Sequence, residues 1–236
     1  MPIPTYFIFK QTDSRDMGVV VINYPPFSIP AEKASTIEIP GRSGSLTLLE
    51  GDDVYKNRTV SVDCFIENAD GISNVAGWLR GSGELIFGNS PNRMHKARVT
   101  NQIDFTKAVR GNDVRLFSVG FLCDPFQYEA EPRSATLYSP TTIKNESVIA
   151  ANPTIRIFAT GDVTFSIGSI SVTLTGITES VTIDCDAKLA YTTPGSNIAI
   201  TLNEEVWPVL ASGDNFISWT GSVSKVEIFP NLRWLL

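Results

Sequence analysis

At 236 residues the chain suits one large all-β domain or two smaller ones, and either is long enough for a proper core. Hydrophobic residues make up 42% and charged residues 19%, a globular balance with the low charge of β-rich proteins that carry Ser/Thr surfaces. The net charge of −6 lacks the basic footprint of a nucleic-acid binder, and no apolar run approaches the ~20 residues of a membrane-spanning helix.

The three cysteines, Cys64, Cys123 and Cys185, are widely spaced and form no C-x-x-C. An odd count at strand positions points to buried free thiols in a reducing compartment, not to a disulfide framework or a metal knuckle. No basic run precedes Phe7-Ile8-Phe9 and no small-residue cleavage site follows, so no signal peptide is expected. The sequons at Asn57 and Asn145 carry no meaning without secretion.

In chain order, the first apolar run is Met17 to Ile22, read as a strand over Gly18–Ile22 with a stiff exit at Tyr24-Pro25-Pro26. Ile37 and Ile39 alternate with Thr36 and Glu38, the period of a half-buried strand. Pro40-Gly41-Arg42-Ser43-Gly44 then makes a turn, and Glu50-Gly51-Asp52-Asp53 an acidic tip. Beyond it Val60, Val62, Cys64 and Ile66 share one face of a strand over Thr59–Ile66. The two strands are thus joined by a long polar excursion. Residues 67–82 predict the one helix, with Asp70 as N-cap, Gly81 at the stop and Ile72, Val75, Ala76 and Leu79 as its apolar stripe. Such a short helix requires a sheet to pack on. Strands are expected at Gly83–Phe87, Lys96–Ile103 and Val114–Cys123, where Pro125 is expected to stop the ladder and Phe126 and Tyr128 to pin the exit. Residues 129–142 mix charge, Pro and Ser/Thr without periodicity, which sets the expected domains at 1–130 and 131–236.

The second half is almost all β signal. Thr154–Ala159 alternates after Asn152-Pro153, and Val163, Phe165 and Ile167 follow as a further run. Gly168-Ser169 links these to Ile170, Val172 and Leu174, a hairpin pattern. Val181, Ile183 and Cys185 form the next strand, and Ile198, Ile200 and Leu202 another. Asn215–Trp219 and Lys225–Phe229 complete the set across Gly221-Ser222. Short strands with regular turn signals predict an antiparallel sandwich.

Three sets of motifs carry a resemblance. The first is P-G-R-x-G at Pro40–Gly44, followed by an apolar run, Gly51-x-x-x-Tyr55 and a basic residue before an alternating strand. The second is Pro125-Phe126-x-Tyr128 at a strand end after the helix. The third is an ordered series: Asn152-Pro153, Ile183-Asp184, Tyr191, Trp207-Pro208-x-Leu210, Gly213-x-Asn215-x-Ile217 and a basic-aromatic Arg233-Trp234 tail. Together they resemble the distal tail (Dit) proteins of siphovirus-type phages, the tail-tip and baseplate hub family, over nearly the whole chain. The N-x-G turn usual before the N-P strand is replaced by Val148-Ile149-Ala150-Ala151, which puts that turn in doubt.

The resemblance implies a mainly β protein: an N-terminal β-sandwich or split-barrel domain with one short helix, then a C-terminal antiparallel β-sandwich of jelly-roll or galectin-like type. It implies a homo-hexameric ring made by the N-terminal domains. The ring joins the tail tube protein to the tail-tip or tail-associated protein, with a receptor-binding protein as a further partner. The C-terminal domains stand outward toward the adsorption machinery. The expected location is the virion tail tip, after assembly in the host cytoplasm, with DNA passing through the lumen unbound and no membrane or cofactor involved. The acidic balance motivates an acidic or neutral lumen wall.

Among single residues, His95 is the only histidine, and with no nucleophile placed beside it a surface or edge position is favoured over catalysis. Asp184 and Asp186 stand at i, i+2 and point to one face. A glycosidase pair or a calcium ligand set would use such oxygens, but two donors suffice for neither, and a solvated acidic turn is favoured. Glu50, Asp52 and Asp53 read first as a turn. Gly41-x-x-Gly44 lacks the Lys-Ser/Thr and following helix of a phosphate loop. Trp207, Trp219 and Trp234 offer a sugar-stacking platform, which makes a carbohydrate-binding module without catalysis the rival reading, although Trp219 sits in an alternating strand and suits a core. No catalytic, cofactor or metal residue is assigned. Unaided, the residues support a structural or binding protein. The candidate contact set is the long arm, Arg42 with Ser45, Leu46, Thr47, Leu48, Leu49, Glu50, Gly51, Asp52, Asp53, Val54 and Tyr55, because so long a loop is hard to bury within one small domain. It is expected to reach the neighbouring subunit head-to-tail.

Overall fold

The computed structural model describes residues 5–51, 53–192, 196, 198, 200–203 and 205–236. It divides into two compact units, Met1–Ala130 with Leu235–Leu236, and Glu131–Trp234. Each has its own hydrophobic core.

In the first unit the strands are β1 (Phe7–Phe9), β2 (Thr12–Asp13), β3 (Val19–Asn23), β4 (Ala34–Glu38), β5 (Ser45–Leu49), β6 (Arg58–Ile66), β7 (Ser82–Phe87), β8 (Arg93–Val99), β9 (Thr106–Lys107) and β10 (Arg115–Glu129). One antiparallel sheet runs in the order β2-β1-β7-β8-β10-β6-β3, with β9 on β10. Its ends nearly meet. The Val21 N–H at the free edge of β3 donates to the Thr5 carbonyl (2.8 Å), just before β1. Tyr24 Oη donates to the Tyr6 carbonyl (2.7 Å) and accepts from the Tyr6 N–H (3.1 Å). The sheet is therefore curled into a split barrel.

Inward residues alternate along each strand. Val60, Val62 and Cys64 on β6 face Phe121, Val119 and Phe117 on β10, and Ile66 and Cys123 continue the two rows, all buried. Phe7 and Phe9 of β1 sit at the centre with no exposure. A two-position alternation is too short for periodicity to mark, so β1 was not among the expected strands. The helix, α1, spans Ile72–Trp78 after a 3₁₀ turn at Ala69–Gly71. Two expectations about it are corrected. Asp70 does not cap it: Gly71 stands at the N-cap of α1 with no side-chain cap bond, and Asn68 caps the preceding 3₁₀ turn, its Oδ1 accepting from the Asp70 N–H (2.9 Å). Its buried side chains are Val75 and Trp78, with Leu79 just beyond, while Ala76 faces out. Trp78 replaces Ala76 because its indole stacks on Phe7 (5.2 Å, 11°) and donates Nε1–H to the Phe9 carbonyl (2.9 Å).

β10 also runs further than expected. Pro125 does not stop the ladder; the strand continues to Glu129. Ala97 faces Cys123 and His95 faces Gln127, so Asp124–Phe126 bulge opposite Lys96. A bulge tolerates a residue without an N–H, which is why proline fits inside the strand.

In the second unit the strands are β11 (Ala135–Leu137), β12 (Thr141–Asn145), β13 (Thr154–Ile167), β14 (Ile170–Ile177), β15 (Ser180–Asp184), β16 (Leu189–Tyr191), β17 (Ile200–Leu202) and β18 (Gly213–Phe229). Two pairs of expected strands fuse into single long ones, β13 and β18, which pair over most of their length. Gly221-Ser222 is therefore a bend, not a turn. Opposite it β13 bulges, with register shifts between Thr160 and Thr164. The bend sorts the partners. The first half of β13 pairs with β15, which pairs with β16, and the second half of β18 pairs with β11. The second half of β13 pairs with β14, which pairs with β17, and the first half of β18 pairs with β12. Two layers joined by strands that switch between them make a β-sandwich. Its core holds Ile155, Ile157, Phe165, Leu174, Ile183, Ile217 and Ile228. The Gly168-Ser169 hairpin is present, with Ile167 facing Ile170. The described residues are mainly β with one short α-helix, as expected from the sequence.

Candidate functional site

The segment between β3 and β6 is a β-hairpin arm. Ala34 to Glu38 pair with Leu49 to Ser45 in a separate two-stranded sheet, closed by Ile39–Gly44. Gly41 and Gly44 at the tip both have φ of 80°, which a side chain disfavours. The Arg42 N–H donates to the Ile39 carbonyl (3.1 Å). The arm's root is zipped by Glu50 N–H to Lys33 O (3.1 Å), Lys33 N–H to Val54 O (2.8 Å) and Lys56 N–H to Ala31 O (2.8 Å). Tyr55 bridges to Glu32 and sets its ring edge-on against Phe126 (5.7 Å, 81°). Desolvation, then Asp53 and Glu32, raise the Tyr55 hydroxyl pKa.

Of the arm residues singled out in the sequence, Ser45, Leu46, Thr47, Leu48 and Leu49 form β5, Arg42 lies in the tip turn, and Glu50, Gly51, Asp53, Val54 and Tyr55 lie in the returning limb. Asp52 lies outside the described residues. Two corrections follow. The excursion is a hairpin and not a polar loop, and it includes Ala34–Glu38, which the alternation had suggested was half-buried. Pairing puts Ser35, Ile37, Leu46 and Leu48 on one face, extended by Ile39. Ile37 and Leu48 are each 46% exposed. Alternation reports that one face is apolar, not that this unit covers it. The equal alternating runs on either side of Pro40–Gly44 were the available signal for the hairpin.

The other candidates fall as follows. His95 is not at the surface; it is 4% exposed on β8. Its strand begins at Arg93 instead of Lys96, so its ring points into the barrel wall beside Phe87. Burial, and then the neighbouring Arg58, push its pKa down to about 4. Asp184 Oδ1 accepts from the backbone N–H of Asp186 (3.1 Å) and Ala187 (2.9 Å), and Asp186 Oδ1 from Asn152 Nδ2 (2.9 Å). Both carboxylates are engaged in the turn that closes β15 onto β16. Among the described residues no three His, Cys, Asp or Glu side chains gather as a metal site. Trp207, Trp219 and Trp234 are half-buried against the sandwich core and offer no exposed stacking platform. The three thiols are free and buried, and burial pushes each pKa up to about 12, which leaves them inert. Among the described residues no helix is long and apolar enough to cross a membrane.

No protein-family model matches the chain, and no curated protein matches it in sequence. Among solved structures it is similar to the crystal structure of SPP1 Dit (gp 19.1) protein, described as a paradigm of hub adsorption apparatus in Gram-positive infecting phages. The TM-score is 0.74 at 17% identity, and the match covers 95% of this chain and 97% of that one. Along nearly its whole length, this chain has the fold of SPP1 Dit.

Proposed function

We propose that this protein is a virion structural protein, the distal tail hub subunit of a siphovirus-type phage. The observation that carries the reading is the likeness to SPP1 Dit across 95% of the chain. The arm supports it from physical chemistry. An isolated two-stranded hairpin is marginal in water, and this one keeps its apolar face exposed. A second copy of the chain would cover that face and complete the hairpin. Such a contact is heterologous, so repeating it closes a ring when the rotation allows.

In this reading the first unit builds a ring of six, with Arg42, Ser45–Leu49 and Glu50–Tyr55 in the joint together with Ile37 and Ile39. The ring connects the tail tube protein to the tail-tip protein, and the second unit carries or contacts receptor-binding components. DNA passes through a lumen whose wall is acidic or neutral, consistent with the net charge of −6. The role is assembly at the virion tail tip, after synthesis in the host cytoplasm, and not catalysis.

The test is the mass of the purified protein by light scattering. A ring has six times the 25.8 kDa of the monomer. Replacing Ala34–Leu49 by a short glycine link between Lys33 and Glu50, already hydrogen-bonded to each other, should leave a folded monomer. The variant Ile37→Asp/Leu48→Asp should do the same with the hairpin retained. A wild-type monomer at all concentrations refutes the hub reading; rings that survive both variants refute the arm as the joint.

A further inference from the structure

The wall of the split barrel holds a half-buried cation, Arg58, beside a recess whose described lining has no carboxylate. Arg58 opens β6 at the root of the arm. Its Nη1 donates to the Ser28 carbonyl (2.6 Å), and its Nη2 lies 3.2 Å from His95 Nδ1. Its Nε is buried and bonds to no described protein group. Burial lowers the guanidinium's pKa, against a smaller opposing effect of the Cys123 thiol. With Nδ1 accepting from Arg58, His95 is neutral and carries its proton on Nε2, where it is a further donor. Beside these groups is a cavity of about 20 Å³ lined by Arg58, His95, Gln127, Asn89, Ser90 and Phe27, among others. His95 and Gln127 are each only 4% exposed, so the polar lining belongs to the fold and not to mobile surface side chains.

The chemistry of the lining is one-sided. It contains a guanidinium, an imidazole N–H, two amides and a hydroxyl, and no carboxylate. A buried charge needs a counter-charge or complete hydrogen bonding to be tolerated. The space admits roughly one atom-sized guest, since a single water needs about 10–15 Å³. A whole phosphate ion is larger than this space. We propose that this cavity is a binding site for one monatomic anion of the chloride class, with Arg58 as its counter-charge. The bound ion offsets the half-buried charge while Nη1 continues to hold Ser28. It thereby fastens the chain just before the arm's first root contact at Ala31.

Two measurements test the site on the intact protein. Crystals soaked in sodium bromide should show an anomalous bromine peak within hydrogen-bonding distance of Arg58. In solution, ³⁵Cl NMR linewidths should broaden on adding the protein, narrow when bromide competes, and lose the excess broadening in Arg58→Gln. The Tm in sodium chloride should exceed that in sodium methanesulfonate at equal ionic strength. If Arg58→Gln fails to fold, the bromide peak and the wild-type competition still decide. No bromine peak at the cavity, or equal Tm values in the two salts, overturns the proposal and leaves a water as the guest.

Discussion

His95 shows how burial, helped by a neighbouring charge, can turn an ordinary residue into a pH-sensitive one. Its folded pKa of about 4 lies below the ordinary 6.5, with burial the larger cause and Arg58 the smaller. The unfolded chain therefore binds the extra proton first as pH falls. The contribution to stability is fully present above about pH 6.5 and is lost as pH drops toward 4, up to about 3 kcal/mol. As the only histidine in the chain, its ring resonances are unambiguous. NMR titration in chloride-free buffer should give a midpoint near 4; a midpoint near 6.5 means that the ring is solvated. Trp78 is the second residue whose role rests on several contacts at once. It is 8% exposed, stacks on Phe7 and bonds to the Phe9 carbonyl. Trp78→Ala should cost about 3–5 kcal/mol in urea unfolding, through the cavity it leaves. Trp78→Phe keeps much of the packing and loses the N–H bond, so about 1–2 kcal/mol is expected.

At the scale of elements, the long strands are shaped by breaks in their pairing. β10 absorbs Pro125 in a bulge, and β13 and β18 change layers where β13 bulges opposite Gly221. That glycine has φ of 103°, and a Cβ there would lie 2.4 Å from the Asp162 carbonyl oxygen. That oxygen belongs to the backbone, which gives less readily than the end of a flexible side chain. Gly221→Ala should destabilise the sandwich by about 2 kcal/mol or more. Circular dichroism melts check this; an unchanged Tm means that the bend moves freely. The same element logic explains a misreading. In sequence a glycine between two alternating runs reads as a hairpin turn, and at Gly168-Ser169 it is one. At Gly221-Ser222 it is a bend in one strand, because a neighbour long enough to pair with both halves lies alongside. Pairing partners, not the local dipeptide, decide between the two.

For the whole molecule, the two cores share no residue, one drawn from Phe7 to Cys123 and the other from Leu137 to Leu232. Changes in separate cores should act independently. Trp78→Ala and Gly221→Ala should thus lower different parts of a calorimetric unfolding profile, and the double variant should show the sum of the two shifts. A single transition lowered equally by either change would mean that the units unfold as one. The fold likeness to SPP1 Dit persists at 17% identity because it rests on strand order and inward-facing pattern, which many sequences satisfy.

Composition and alternation alone determined that this is a mainly β protein with one short helix, free buried thiols and a hairpin at Gly168-Ser169. Those features depend on neighbours close in the chain, where spacing reports directly on which side chains share a face. Only the tertiary structure decided which apolar faces are covered. Ile37 and Leu48 read like core residues and stand exposed on the arm, while His95 read like a surface residue and lies buried beside Arg58. Burial is set by what packs across from a residue, and that partner is usually far away in sequence.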